Sequence, residues 1–141
     1  MQPFITRRIT IPVKDDHHRV ADVSGSLRRV LFVSGDADLR SVVTRVLDRQ
    51  GYEVHAVAHS GHALLLCRTM PFDVLVTELS GPDVSGPSLA TQLRRHCPGI
   101  SVIFLGNPGT PEGIDHVLVR PFTRDDLVER IHHACTKLAA A

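Results

Sequence analysis

Residues 29–51 read RVLFVSGDADLRSVVTRVLDRQG. Val30-Leu31-Phe32-Val33 is a short run with no polar residue, the composition of a strand covered on both faces. From Asp38 to Gln50 the period changes. Leu39, Val42, Val43, Val46 and Leu47 fall on one stripe of a helix, and Gly51 supplies a left-handed stop.

The same grammar continues along the chain. Tyr52 to Ala58 alternates as a second strand, and Gly61 to Met70 reads as a second helix ended by Pro71. Asp73 to Leu79 (DVLVTEL) is a third strand, and Ser80-Gly81-Pro82-Asp83-Val84-Ser85-Gly86 is all turn chemistry. A third helix is predicted from Pro87 to His96, ending near Pro98-Gly99. Ser101 to Leu105 and Val117 to Val119 are the fourth and fifth strands. Thr123-Arg124-Asp125-Asp126 resembles a capping box with Asp in its last place, opening a helix striped by Leu127, Ile131, Ala134, Cys135 and Leu138. Strands and helices in alternation imply a parallel sheet with helices on both faces, a three-layer α/β/α sandwich.

Composition agrees with one packed domain. Of 141 residues 43% are apolar and 22% charged, enough hydrophobic material for a core and too little charge for a disordered chain. A net charge of +1 argues against a nucleic-acid binder, and there is no helix-turn-helix outside the α/β pattern. Cys67, Cys97 and Cys135 lack CxxC spacing and do not read as a disulfide scaffold or zinc knuckle. No apolar run approaches the roughly 18 residues of a membrane helix, and the start has no secretory core segment. The expectation is a cytoplasmic domain in a reducing compartment, without membrane contact. Nine histidines are read as surface residues, because His55 and His59 lie on different elements and His132 and His133 diverge around a helix. Arg94-Arg95-His96, near Arg68, reads as a solvated helix end.

Residues 1–28 differ from the rest and are set apart as an N-terminal arm or linker, with 29–141 as the domain. Ile5, Ile9, Ile11 and Val13 alternate with polar residues, which allows an edge strand or one that adds to a partner's sheet. Lys14 to Arg19 and Ser24-Gly25-Ser26 have linker composition, for which disorder is the simpler reading.

In an open parallel sheet, ligands bind outside the carboxyl ends of the strands. That rule selects Ser34 and Gly35 after the first strand, Glu78 ending the third, Gly106 and Asn107 after the fourth, and Arg120 after the fifth.

These positions, with Val30 to Val33, Asp36 to Arg40, Gly51 to Val54, Pro71 to Val76, Pro82, Gly86 and Arg120-Pro121-Phe122, make residues 29–138 resemble a response-regulator receiver domain. The resemblance implies a flavodoxin-like sheet in the order 2-1-3-4-5 and a role in two-component, phosphorelay signalling. Receivers place two adjacent acids after the first strand to hold Mg²⁺; here stand Ser34 and Gly35, with Asp36 adjacent. The phospho-accepting aspartate position is Glu78, and the Thr or Ser that follows the phosphoryl group is Gly106. Arg120 stands at the phosphate-lysine position and Val117 at the aromatic switch position. The resemblance also implies a cis Arg120–Pro121 bond and a helix between strands four and five. The connection Asn107 to Asp115, rich in Pro and Gly, leaves that helix shortened or missing.

Ser34 and Gly35 carry no charge, and Asp36 is placed to cap the first helix, so neither a metal site nor Mg²⁺ is expected. Glu78 has two readings: a half-buried acid paired with Arg120 for stability, or a permanent phosphate-free imitation of the activated state. Both lead to a non-enzymatic, stand-alone pseudo-receiver acting through protein contacts, with a histidine kinase or output protein as partner and a homodimer left open. The alternatives are a single-domain regulator that accepts phosphate at an unconventional acid, and a small-ligand module, for which Gly35 alone is too little glycine.

Overall fold

The computed structural model describes residues 28–108 and 117–140. The strand-like stretch 5–13, the linker-like stretch that follows it, and most of the Pro/Gly-rich connection lie outside the described residues. Elements run β1 (Arg29–Val33), α1 (Ala37–Arg49), β2 (Glu53–Val57), α2 (Ser60–Thr69), β3 (Val74–Glu78), α3 (Gly86–Leu93), β4 (Ser101–Gly106), β5 (Val117–Val119) and α4 (Arg124–Ala140). The sheet is parallel throughout, in the order β2-β1-β3-β4-β5, the order that the resemblance implied.

Strand alternation divides the core into two layers. Val30, Phe32, Val74, Val76, Ile103 and Leu105 meet α1 and α4, packing with Val43, Leu47, Leu127 and Ile131. Leu31, Val33, Leu75 and Val102 meet α2 and α3, packing with Ala63, Cys67, Leu89 and Leu93. β1 and β3 lie mid-sheet and are covered on both sides, which is why Val30 to Val33 and Val74 to Val76 are apolar runs.

The helix ends follow local chemistry. Asp36 caps α1, its carboxylate accepting the amides of Asp38 at 3.0 Å and Leu39 at 3.1 Å. Gly51 leaves the helix with φ 90°. Thr123 and Asp126 form the reciprocal capping box of α4: the Thr123 amide donates to Asp126 Oδ2 at 2.9 Å, and the Asp126 amide to Thr123 Oγ1 at 3.0 Å.

The bounds of α2 and α3 differ from expectation. α3 ends at Leu93 rather than His96, because Arg95 and His96 bond back three residues, to the carbonyls of Gln92 and Leu93, in a tighter turn ahead of Cys97-Pro98. α2 runs Ser60–Thr69 rather than 61–70, and Met70 before Pro71 is extended, with φ −151°. Only residues 107–116 separate β4 from β5, and no helix is present between them among the described residues.

Candidate functional site

The carboxyl ends of β1, β3, β4 and β5 meet at one rim, with Ser34, Glu78, Gly106 and Arg120 at or just beyond them. Ser34 is fully buried. Its hydroxyl donates to Glu78 Oε2 at 3.2 Å and accepts the Asp36 amide at 3.1 Å. Arg120 Nη2 donates to the same Glu78 oxygen at 3.0 Å. One carboxylate oxygen therefore carries both the hydroxyl and the guanidinium. The Glu78 and Arg120 side chains are 23% and 34% exposed, a pair half-withdrawn from water.

The backbone builds this arrangement. The Arg120 amide donates to the Gly106 carbonyl at 2.8 Å, which places residue 120 beside the end of β4, and the Arg120–Pro121 bond is cis. Gly86, the buried first residue of α3, lets that helix approach β3. A Cβ there would lie 2.7 Å from the Glu78 carbonyl oxygen and 2.8 Å from the Phe104 ring. Gly35 is different: a Cβ would meet Pro82 Cβ at 3.4 Å, so the rim has room for a side chain at that position.

The other singled-out positions fall away from the ion pair. The Asp36 carboxylate is exposed and turned to its own helix. Val117 starts β5, and its carbonyl accepts Arg130 Nη1 at 3.2 Å. Two residues with a part at this rim escaped the sequence reading. Arg40 reaches back from α1 to place Nη1 2.8 Å from the Ser34 carbonyl oxygen. Asp83 caps α2 from the β3–α3 loop, accepting Ser60 Oγ at 2.7 Å and the Ser60 amide at 3.2 Å. The cap of α2 itself, His59, makes no side-chain capping bond. The Ser60 hydrogen bonds, aided by the nearby His59, hold the Asp83 carboxyl below its ordinary range. Thr77 Oγ1 and Arg120 Nε are buried without a hydrogen-bond partner among the described residues.

His55 corrects the surface reading of the histidines. It is half-buried, its Nε2 lies 2.8 Å from Glu53 Oε2, and its ring stands edge-on to Phe72. His59, His62, His96, His132 and His133 are exposed, and the described residues hold no group of three or more potential metal ligands. Arg94, Arg95, His96 and Arg68 are also exposed. No helix among the described residues is long and apolar enough to cross a membrane.

A parallel 2-1-3-4-5 sheet whose polar side chains gather at its carboxyl rim is the flavodoxin-like, doubly wound α/β architecture. The sequence profile of the response regulator receiver domain matches residues 30–132, and the chain belongs to that family. The putative response regulator NtrX-like of Rickettsia bellii is 27% identical over 125 residues, covering 80% of this chain and 26% of that protein. The response regulator receiver protein CpdR of Brucella abortus is 27% identical over 113 residues, covering 74% of this chain and 94% of CpdR. Among solved structures, a CheY-like receiver domain protein from Methanospirillum hungatei superposes with a TM-score of 0.74 at 24% identity, covering 82% of this chain and 98% of that one. The chain is thus a receiver domain of two-component signalling, a fold that serves as a signalling module.

Proposed function

We propose that this receiver acts by protein–protein contact without aspartyl phosphotransfer, as a pseudo-receiver whose strand-end acid is committed to an internal ion pair. The observation that carries the proposal is the single Glu78 oxygen, held by Arg120 at 3.0 Å and by Ser34 at 3.2 Å. A phospho-accepting carboxylate needs a free oxygen aimed at the incoming phosphorus and a divalent cation to neutralise developing charge.

The residues present do not fit Mg²⁺. The ion needs one or two carboxylates in near-octahedral geometry and retains several waters. Glu78 carries the carboxylate at the end of β3, and Arg120 already neutralises it. Arg40 donates to the Ser34 carbonyl, so a cation arriving there meets a second guanidinium. The partner is a two-component protein, a histidine kinase or an output protein, that recognises the rim in a fixed state.

Incubation with acetyl phosphate and Mg²⁺ followed by intact-mass analysis tests this. The expected result is no phosphoryl adduct, and the same melting temperature with Mg²⁺ as with EDTA. An acid-stable, alkali-labile adduct mapped to Glu78 or Asp36 would overturn it.

A further inference from the structure

Away from the rim, two cysteines from separate elements share the α2–α3 layer. Cys67 sits in the last turns of α2 and Cys97 in the turn after α3; they are 5% and 7% exposed and belong to one packed cluster with Leu93, Ile100 and Phe72. Both are free thiols, and within that packed cluster each thiol is a neighbour of the other. Cys97 is fixed by its backbone: its amide donates to the Leu93 carbonyl at 2.8 Å, and its carbonyl accepts the Ile100 amide at 3.0 Å. Cys135 lies in the opposite layer, across the sheet.

We propose that Cys67 and Cys97 are an oxidisable dithiol, which a peroxide-class oxidant converts to a disulfide stapling α2 to the turn after α3. One thiolate attacks the peroxide, breaking its O–O bond to give a sulfenic acid and hydroxide. The second thiol then forms the S–S bond with loss of water. Two thiols lose two electrons in all, the peroxide gains them, and the released proton and hydroxide combine as a second water. The staple encloses β3 with Glu78, the loop carrying Asp83, and all of α3. It therefore fixes the segment that presents the rim, whether or not Glu78 accepts a phosphoryl group.

Burial sets the rate. It pushes the Cys67 thiol up to about 12, with the Cys97 thiol beside it adding to the rise, so little thiolate exists in the closed state. Oxidation is then slow and tracks local opening of α2 rather than bulk peroxide alone. The product is a structural bridge, because α2 and the turn after α3 already pack both cysteines into one buried cluster.

The full chain is treated with hydrogen peroxide under native conditions, alkylated, digested without reduction and mapped. The expected result is a Cys67–Cys97 cross-linked peptide with Cys135 still alkylatable, and a melting temperature raised by roughly 10 °C. Cys135→Ser should leave the cross-link unchanged, and Cys67→Ser should abolish it. The inference is overturned if the native chain keeps all three thiols under conditions that oxidise them in urea, or if the bridge involves Cys135.

Discussion

The Glu78–Arg120 pair can be weighed by a double-mutant cycle with Glu78→Gln and Arg120→Met. At 3.0 Å, Coulomb attraction between unit charges is about 5.5 kcal/mol for an effective dielectric of 20 and about 1.4 kcal/mol in bulk water. The two side chains are about a quarter to a third exposed, so neither limit applies. Desolvation and the ordering of a long arginine side chain remove most of the larger figure. Fully exposed pairs couple by about 0.2–1 kcal/mol, and breaking a buried pair costs about 3–5 kcal/mol. We expect a coupling of about 1–2 kcal/mol between these.

Each single substitution should destabilise by a similar amount for a different reason. Glu78→Gln leaves Arg120 with a neutral partner, and its Nε already has none among the described residues. Arg120→Met leaves a carboxylate held by Ser34 alone. The double variant should cost less than the sum, because it strands no charge. Urea unfolding at pH 7, in low salt and in about 1 M NaCl, measures all four corners. A coupling below about 0.3 kcal/mol, or one erased by salt, would refute the claim that the carboxylate is internally committed.

Three further outcomes follow from the same geometry. Combining Ser34→Asp, Gly35→Asp and Glu78→Asp should produce a chain less stable in EDTA whose melting temperature rises with Mg²⁺ and which labels with acetyl phosphate, since Gly35 has room for a side chain; calorimetry and intact mass check it. Asp83→Asn should lower the melting temperature at pH 7. The Asp83 carboxyl is held below its ordinary value, so its contribution is present above the unfolded pKa of about 3.9 and lost as pH falls through the lowered folded value; melts of the two chains should converge there. Gly86→Ala should cost about 1–3 kcal/mol in urea unfolding, because the added Cβ meets the Glu78 carbonyl oxygen at 2.7 Å and the Phe104 ring at 2.8 Å.

What could be read from the sequence was local or periodic. Val30 to Val33 announced a two-sided strand because one residue in two faces each layer. Thr123 and Asp126 announced a helix start because a capping box closes within four residues. Helix ends were less legible: His96 fits a helical pattern, and the tighter turn from Arg94 is set by what Cys97 and Ile100 must bury. At the rim, strand ends identified Ser34, Glu78, Gly106 and Arg120 as neighbours. That two groups share one Glu78 oxygen, however, depends on side-chain direction. Arg40 and Asp83 were missed for a related reason. Each bonds to a partner outside its own element, and nothing in helical or strand period encodes such a partner.

Charge at the rim links these observations. In a receiver with an acidic pair, three carboxylates crowd together, and repulsion is relieved only by a divalent cation. That instability makes the rim responsive, since adding or losing a phosphoryl group changes which charges need partners. Here the Ser34 hydroxyl and bare Gly35 remove two of those charges, and Arg120 cancels the third. Arg40 spends its guanidinium on a backbone carbonyl rather than on an acid. On the proposed reading, a rim so balanced has no repulsion for a cation to relieve, and it holds one electrostatic state. On that reading, switching comes from outside the pair, through a bound protein or through the α2–α3 layer on which the β3–α3 loop rests. Asp83 is the covalently short route between the two, joined to the Ser60 end of α2 at 2.7 Å and lying five residues after Glu78. A perturbation of α2 that left the rim's partner binding unchanged would show that this route does not carry the signal.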